Sequence, residues 1–159
     1  MPIVLVRVDC RLVHGQVMET WVPHTGANCL LVASDALDAN PFMRSVMEIA
    51  VPSSIHVVFR RVDDVADALA EIDRKNERAI LLCAALSDAL RIFRAGVRFP
   101  GLNVGNLHFA EGKVEVTPSV YFAPEDFEAV DALSRLGVAV TVRSTPFEPA
   151  APYRRCRGG

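Results

Sequence analysis

The sequence predicts an α/β fold: an open, twisted and mainly parallel β-sheet with helices on both faces, in three layers. Short apolar segments rich in valine, isoleucine and leucine alternate along the chain with segments whose apolar residues recur at helical spacing. This alternation is typical of a parallel sheet covered by helices. Most strand-like segments are almost continuously apolar, as strands are when both faces are buried. With 159 residues, of which 51% are hydrophobic, the chain has the size and apolar content of one domain.

The strands of this sheet are assigned to short segments dominated by β-branched residues and leucine. In chain order, we expect them at residues 3–9, 28–34, 55–60, 79–83, 102–105, 113–117 and 138–143.

A first surface helix is predicted after the second strand. Asn40 followed by Pro41 has the pattern of an N-cap and a first helical residue. The apolar residues that follow recur at helical spacing, and we expect this methionine-containing stripe to fill the core. Its members are Phe42, Met43, Val46, Met47 and Ala50.

Three further helices have clear periodicity or clear ends. Residues 62–73 place apolar side chains at helical spacing with acidic residues between them, which indicates one core-facing and one solvated side. Residues 86–95 are followed by Gly96, and a helix opened by Pro124 stops at Gly137. Glycine after a helix and proline at its first position are common end signals.

Charge and hydropathy exclude several function classes. The formal net charge is -2 and the isoelectric point is near 6.1, so the basic excess that favours nucleic acid or anionic lipid is missing. The apolar segments are much shorter than the roughly 18–20 residues of a membrane-spanning helix. The amino terminus lacks the pattern of a secretory signal. We therefore expect a cytoplasmic protein with no nucleic-acid partner and no membrane insertion.

The chain is expected to be one domain over residues 1–146. From Pro146 onward the composition changes to prolines, arginines and two terminal glycines, which predicts a flexible tail over residues 147–159. The four cysteines have no CxxC pairing, so we expect reduced thiols and no structural metal. They are Cys10, Cys29, Cys83 and Cys156.

The residues with chemical potential are concentrated where the first strand ends and a helix begins. Arg7 and Asp9 are two residues apart and should point to the same side of the emerging strand, while Arg11 follows on the loop. His14 comes next, and Gly15 permits close approach of a ligand to the backbone. The carboxyl ends of parallel strands and the first N–H groups of helices are common anion sites. The segment thus suits an oxyanion.

Phosphoryl transfer through His14 is one chemistry that this segment supports. A neutral imidazole is a nitrogen nucleophile at cytosolic pH and can also release a phosphoryl group. Arg7 and Arg11 can clamp phosphoryl oxygens, and Asp9 can orient an arginine or hold the imidazole tautomer. A structural histidine beside salt bridges that pin the loop explains the same residues. These residues alone leave the choice open.

Residues 7–17, RVDCRLVHGQV, resemble the active-site segment R-I-D-D-R-L-I-H-G-Q-V of the IIB subunits in the mannose and sorbose family of the phosphoenolpyruvate-dependent sugar phosphotransferase system. Trp21 falls where that family has a tryptophan. The resemblance extends over residues 2–146 and includes residues 34–35, 40–41, 50–52, 103–109, 112–113, 119–120, 125–126 and 136–138.

The resemblance implies a phosphoryl-carrier role. His14 would be phosphorylated on Nδ1 by a phosphohistidine of a IIA partner and would pass the group to a sugar held by membrane subunits IIC and IID. The protein would lie in the cytoplasm, peripheral to that transporter. The phosphate pocket would be shaped by Arg7, Asp9, Arg11, Gly15 and Gln16.

Further residues are expected at the rim of the pocket, although turn formation, a surface loop or an internal hydrogen bond explains several of them equally well. They are Ser34, Asp35, Asn103, Gly105, His108 and Arg143. The other histidines, His24, His56 and His108, have no short ligand spacing to His14. We therefore expect no metal and no tightly bound cofactor.

Two residues depart from the family pattern. Cys10 replaces a second acidic residue, and Asn106 replaces the second glycine of the N-x-G-G-x-H-F segment. They motivate an alternative, a regulatory protein with the phosphorylatable histidine but without coupling to transport. An unrelated phosphate- or nucleotide-binding protein is less favoured because GxGxxG and P-loop patterns are absent from the sequence.

Overall fold

The computed structural model describes residues 2–149 and residue 153. Strand β1 covers Ile3–Asp9. Helix α1 then covers residues 15–25, wound as a π-helix over Val17–Trp21 and as an α-helix over Val22–Thr25. The remaining elements are β2 Cys29–Ala33, α2 Asp35–Asp38, α3 Pro41–Ile49, β3 His56–Arg60, a 3-10 turn Val62–Asp64 leading into α4 Val65–Arg74, β4 Ala79–Cys83, α5 Leu86–Arg94, β5 Gly101–Asn106, β6 Val114–Thr117, β7 Val120–Phe122, α6 Pro124–Arg135 and β8 Ala139–Val142.

The main sheet has six strands in the order β3-β2-β4-β1-β5-β8. Every neighbouring pair is parallel, which confirms the predicted fold class. Strands β2 to β4 lie on one side of β1, while β5 and β8 lie on the other. The carboxyl end of β1 is therefore at the point where the chain changes direction across the sheet, a common place for ligand sites in open α/β sheets.

Apolar side chains form a core on each face of this sheet. All residues of β2 and β4 are buried. Leu31 and Leu81 belong to one cluster, with residues of α4, α5 and α6. Leu30 and Leu82 belong to the other, with Trp21 of α1. Because neighbouring strand residues point to opposite faces, continuous apolar strands require helices on both sides, as predicted.

Residues 113–117 were expected in the main sheet, but they do not belong to it. It forms β6, which pairs antiparallel with β7 in a separate two-stranded sheet. A bridge between Leu107 and Val120 joins this hairpin to the end of β5. The assignment of these residues to the main sheet is wrong because strand composition does not identify the pairing partner. Strand β7 and helix α2 were not predicted.

Helix α3 begins as predicted but does not fill the core. The side chain of Asn40 accepts a hydrogen bond from the backbone N–H of Met43 at 3.2 Å, which confirms the N-cap. No residue of α3 is buried, and Phe42 is 75% and Ile49 85% exposed. Of the predicted stripe, Met47 packs against a core cluster. The core-filling interpretation is wrong for the rest because periodicity identifies an apolar side but not a neighbour that covers it.

The predicted tail begins inside the described region and continues beyond it. The backbone N–H of Tyr153 donates to the carbonyl of Val140 at 2.9 Å, and its ring lies 5.5 Å from that of Phe122. Residues 150–152 and 154–159, which include Cys156, lie outside the described residues. The boundary at residue 146 stays a prediction. Within residues 2–149, no helix combines the length and apolar character needed to cross a membrane.

Candidate functional site

A tight turn at the end of β1 carries the chain from Asp9 to His14. The backbone N–H of Leu12 donates to the carbonyl of Asp9 at 2.9 Å. Leu12 has φ of 56° and its side chain is buried. A left-handed conformation costs a residue other than glycine roughly 1–2 kcal/mol, and the burial of this leucine in the core under α1 offsets that cost. The turn brings His14 back to the end of its own strand.

Asp9 and His14 form a direct hydrogen-bonded pair. His14 Nε2 lies 2.7 Å from Asp9 Oδ2, with the histidine side chain 13% exposed and the aspartate fully buried. An ionised carboxylate only accepts hydrogen bonds, so Nε2 carries the proton and the neutral ring has its free electron pair on Nδ1. Among the described residues, no hydrogen bond reaches Nδ1. The pair therefore presents Nδ1 as the nucleophilic nitrogen.

Asp9 is kept in its charged form by its neighbours. Burial alone raises the pKa of this carboxyl group, but hydrogen bonds from His14 and Asn106 and the charge of Arg7 outweigh burial and hold the pKa below its ordinary value. Asp9 is thus a carboxylate at neutral pH and can fix the tautomer of His14.

Arg7 lies inside the protein. It is therefore not placed to clamp a phosphoryl group together with Arg11 in the way the sequence predicts. Its side chain is 0% exposed. Nη2 donates to Asp9 Oδ2 and to Gln16 Oε1, both at 3.0 Å, and Nη1 donates to Asn103 Oδ1 at 2.6 Å. Burial lowers the pKa of Arg7 while Asp9 raises it, and an arginine stays charged in either case. Arg7 holds the carboxylate and the amide that surround His14.

A second set of residues holds Arg7. Its guanidinium lies 5.2 Å from the centre of the Trp21 ring, and Trp21 Nε1 donates to the carbonyl of Ser144 at 2.9 Å. A Cβ atom on Gly105 would stand 2.1 Å from the Arg7 guanidinium. Gly105 is therefore required for space. The amide of Asn103 continues the network by donating to the carbonyl of Arg143 at 3.1 Å.

Asn106 is part of the site, although in the sequence it stands out only as a departure from the family pattern. Its Nδ2 donates to Asp9 Oδ2 at 2.9 Å and to Gln16 Oε1 at 3.1 Å. Strand β5 pairs with β1 so that Asn106 faces Asp9. The ends of adjacent parallel strands meet at one edge, and Asn106 ends the same strand as Asn103. That position indicated that Asn106 could reach the site, but its contact with Asp9 depends on which strands pair.

Several donors at the site are free to receive an anion. Arg11 is 42% exposed, and its Nε lies 4.0 Å from Asp9 Oδ1. The side-chain amide nitrogen of Gln16 has no hydrogen-bond partner among the described residues. Helix α1 begins at Gly15, and the first N–H groups of a helix have no partner inside it. A Cβ atom on Gly15 would meet only Glu19 Oε1, at 3.9 Å, so the fold leaves open space beside His14.

None of the other predicted rim residues is hydrogen-bonded or ion-paired to His14 among the described residues. Ser34 caps α2 by accepting from the N–H of Leu37, and Asp35 accepts from Arg91 and from the N–H of Val62. No hydrogen bond or ion pair in the described region links either residue to Asp9 or His14. The side chain of His108 is exposed. Arg143 donates to the carbonyls of Pro146 and Glu148 and contributes its own carbonyl to Asn103.

Cys10 is a neutral group beside the site. It is half-buried against the core, and burial raises the pKa of its thiol. Its backbone N–H donates to the carbonyl of Asn106 at 3.0 Å. Asp9 is consequently the carboxylate that serves His14.

One group of side chains in the described region has the residue types and spacing to hold a metal ion. Cys29, His56 and Glu77 offer ligand atoms within 4.8 Å of one another. They come from the amino-terminal ends of β2 and β3 and the residues before β4, at the opposite end of the strands from His14. Glu77 accepts from His56 at 3.0 Å, and burial together with Glu77 raises the pKa of the Cys29 thiol to about 12. Their spacing along the chain is too wide for a recognisable sequence motif.

Comparison with known proteins gives one family. Residues 3–156 match the family model described as "PTS system sorbose subfamily IIB component". The N-acetylgalactosamine-specific phosphotransferase enzyme IIB component 2 of Escherichia coli is 36% identical, over 93% of this chain and 94% of that protein. The mannose-specific EIIAB component of Escherichia coli is 31% identical, over 94% of this chain and 46% of that longer protein.

Solved structures agree with the sequence comparison. The IIB domain of the sorbose permease from Klebsiella pneumoniae superposes with a TM-score of 0.88 at 27% identity, covering 95% of this chain and 93% of that one. The N-acetylgalactosamine-specific IIB component 1 from Escherichia coli superposes with a TM-score of 0.87 at 28% identity, covering 93% and 97%. The family predicted from residues 7–17 is confirmed.

Proposed function

This chain belongs to the sorbose subfamily of phosphotransferase-system IIB components, and from that premise we propose that it carries a phosphoryl group on Nδ1 of His14 between a IIA phosphohistidine and a sugar. The observation that supports this role most directly is the 2.7 Å contact between His14 Nε2 and Asp9 Oδ2. It leaves Nδ1 unprotonated and free of hydrogen bonds from the described residues.

The first step is an in-line displacement at phosphorus. Nδ1 of His14 forms the new P–N bond while the P–N bond of the donor phosphohistidine breaks and its electron pair returns to the donor ring. Positive charge that develops on the His14 ring is stabilised through Nε2–H by the carboxylate of Asp9. Because the transition state is loose, positioned donors matter more than covalent assistance.

The donors for the phosphoryl oxygens are the exposed guanidinium of Arg11, the free side-chain amide of Gln16 and the first backbone N–H groups of α1. Arg7 contributes from inside by holding Asp9 and Gln16 in place. Helix starts and arginines are common phosphate ligands. The two arginines therefore have different roles: Arg11 contacts the phosphoryl group, and Arg7 holds the residues around it.

In the second step a sugar hydroxyl attacks the phosphorus. A P–O bond forms, the hydroxyl proton is released, and the P–N bond breaks with its electron pair returning to Nδ1. The partners are a IIA protein or domain as donor, and membrane subunits IIC and IID that hold the sugar on the cytoplasmic side. The matched EIIAB protein carries both an A and a B component in its name, which supports a IIA partner here. This chemistry needs no cofactor.

Phosphosite mapping after incubation with the general phosphotransferase proteins, a matching IIA and phosphoenolpyruvate tests the proposal. We expect one acid-labile, base-stable phosphoryl group on His14, and none on His14→Ala. Label on another residue, or no label, contradicts the carrier role. Addition of membranes containing IIC and IID then tests coupling, and a phosphorylated His14 that phosphorylates no sugar would contradict the transport role and support the regulatory alternative.

A further inference from the structure

We propose that Asn106 is a positioning residue that weakens the hold of Asp9 on His14 and thereby raises the tendency of phosphorylated His14 to give up its phosphoryl group. This inference rests on the proposed carrier function and deepens it.

Several donors share one oxygen atom of the Asp9 carboxylate. Oδ2 of Asp9 lies 2.7 Å from His14 Nε2, 2.9 Å from Asn106 Nδ2 and 3.0 Å from Arg7 Nη2. The other oxygen, Oδ1, accepts from the backbone N–H of Arg11 at 3.0 Å. Asn106 and His14 therefore compete for the same acceptor atom.

Competition at Oδ2 changes the electronic state of the imidazole. Each added donor withdraws electron density from the carboxylate and makes it a weaker acceptor for the Nε2–H of His14. A strong acceptor at Nε2 increases the electron density on Nδ1 and stabilises the bond from Nδ1 to phosphorus. With Asn106 present, that bond is weaker and Nδ1 is a better leaving group, which suits a carrier that must pass the group on.

The backbone conformation at residue 106 does not require an asparagine. Among the described residues other than glycine, only Leu12 and Asn76 have positive φ, so residue 106 has a conformation open to any residue. Asn106 is 7% exposed, and its side-chain amide donates one hydrogen bond to Asp9 and one to Gln16. We therefore expect that its side chain can be removed without a change of backbone conformation.

Two substitutions, Asn106→Ala and Asn106→Gly, test the proposal together. Both remove the amide, but only glycine also increases backbone freedom. We expect both variants to shift the equilibrium between phospho-IIA and the phosphorylated form of this protein toward this protein by about threefold to tenfold, since hydrogen bonds to charged groups are among the strong ones. In the unphosphorylated protein, the Nε2–H proton resonance of His14 should move downfield as its hydrogen bond to Asp9 strengthens. Asn40→Ala is the control because it removes a similar amide at the start of α3.

The outcomes separate this inference from the carrier function. If His14 is labelled but the equilibrium ratio and the Nε2–H resonance of both variants equal those of the unmodified protein, the role of Asn106 is refuted and the carrier function stands. A shift toward phospho-IIA, or opposite shifts in the two variants, also refutes it. If the unmodified protein is never labelled on His14, the carrier function fails, and the Nε2–H resonance alone still tests whether Asn106 competes for Asp9.

Discussion

Asp9 connects the inside of the protein to the reactive ring, because Oδ2 of its carboxylate accepts from both Arg7 and His14. Asp9→Asn keeps the size of the side chain but removes the charge that fixes the tautomer of His14. We expect the rate of phosphorylation by IIA to fall by about 10²- to 10⁴-fold, the range typical of groups that position protons in catalysis. Rapid-quench measurement with labelled IIA checks this.

Asp35→Asn is the matched control, since Asp35 also accepts hydrogen bonds from an arginine and a backbone N–H but is not linked to His14. Its phosphorylation rate should equal that of the unmodified protein. A rate for Asp9→Asn within about threefold of the unmodified protein would contradict the role given to Asp9.

A substitution at Gly15 tests whether the open space beside His14 receives a ligand, because it should not destabilise the fold. The nearest atom to an added Cβ is Glu19 Oε1 at 3.9 Å, and φ is not in the left-handed region. Gly15→Ala should therefore leave the free energy of unfolding unchanged or raise it by up to about 1 kcal/mol. The methyl group stands beside His14, so we expect at least a tenfold loss of phosphorylation rate. An unchanged rate would show that the open space at Gly15 serves no ligand.

The sequence predicted which residue types form the site, but not how deeply each one is buried. Arg7 and Arg11 are the same residue type and look equivalent in the sequence. Because β1 is a central strand of the sheet, Arg7 is buried, while Arg11 lies beyond the end of the strand and is exposed. The two roles considered for Asp9, orienting an arginine and holding the imidazole, both correspond to observed contacts. Asn106 was missed because its contact with Asp9 depends on strand pairing.

Strand β5 makes room for Arg7 because its residue 105 is a glycine and has no side chain. The Arg7 guanidinium occupies the space that a Cβ would need. Gly105→Ala should lower the free energy of unfolding by about 1–3 kcal/mol, as overpacking does in cores, and slow phosphorylation because Arg7 is displaced. Chemical denaturation and the phosphorylation assay measure the two effects.

Gly101 provides the control on the same strand. A Cβ there would lie at an ordinary 3.4 Å from the carbonyl of Ala139. We expect Gly101→Ala to be milder in both assays. Equal losses in the two variants would contradict a specific role for Gly105 in making room for Arg7.

Element types were predictable from local patterns, while the partners of elements were not. The N-cap at Asn40 and the strands of the main sheet follow from residue types that act over a few positions. The placement of β6 in a hairpin and the exposure of Phe42 and Ile49 depend on what lies next to those segments. The π-helical turn over Val17–Trp21 has no sequence signal that separates it from an ordinary helix.

The buried charges of the site couple the folding of the entire protein to pH. Because the pKa of Asp9 is below its ordinary value in the folded protein, its carboxylate stabilises the fold above the unfolded-state pKa of about 3.9. That contribution is lost as pH falls from this value through the lower folded-state pKa. We expect urea denaturation between pH 6 and pH 3 to show falling stability, and Asp9→Asn to show a flatter curve.

The difference between the two curves isolates Asp9, because other carboxyl groups contribute to both. Burial raises the pKa of Asp88, so ionisation of this carboxyl group destabilises the fold, and that cost is relieved as pH falls. If the curves of the two proteins are parallel over this range, Asp9 is not a stabilising carboxylate in the folded state.

The fold class followed from the alternation of apolar strands and helices, but the strand order did not. With β1 between β4 and β5, Asp9 meets Asn106 across the strand pair and His14 after its turn. The chain could be assigned to its family because residues 7–17 lie in one continuous segment. The role of Asn106 could not be assigned because it depends on residues that are distant along the chain.

The identity of the phosphorylated nitrogen tests the carrier role of His14 more directly than any substitution. Two-dimensional NMR of the protein labelled with ¹⁵N in histidine, recorded after phosphorylation, distinguishes the two ring nitrogens of His14. We expect phosphorus on Nδ1 and a retained proton on Nε2, hydrogen-bonded to Asp9. Phosphorus on Nε2, or on a residue other than His14, would contradict it.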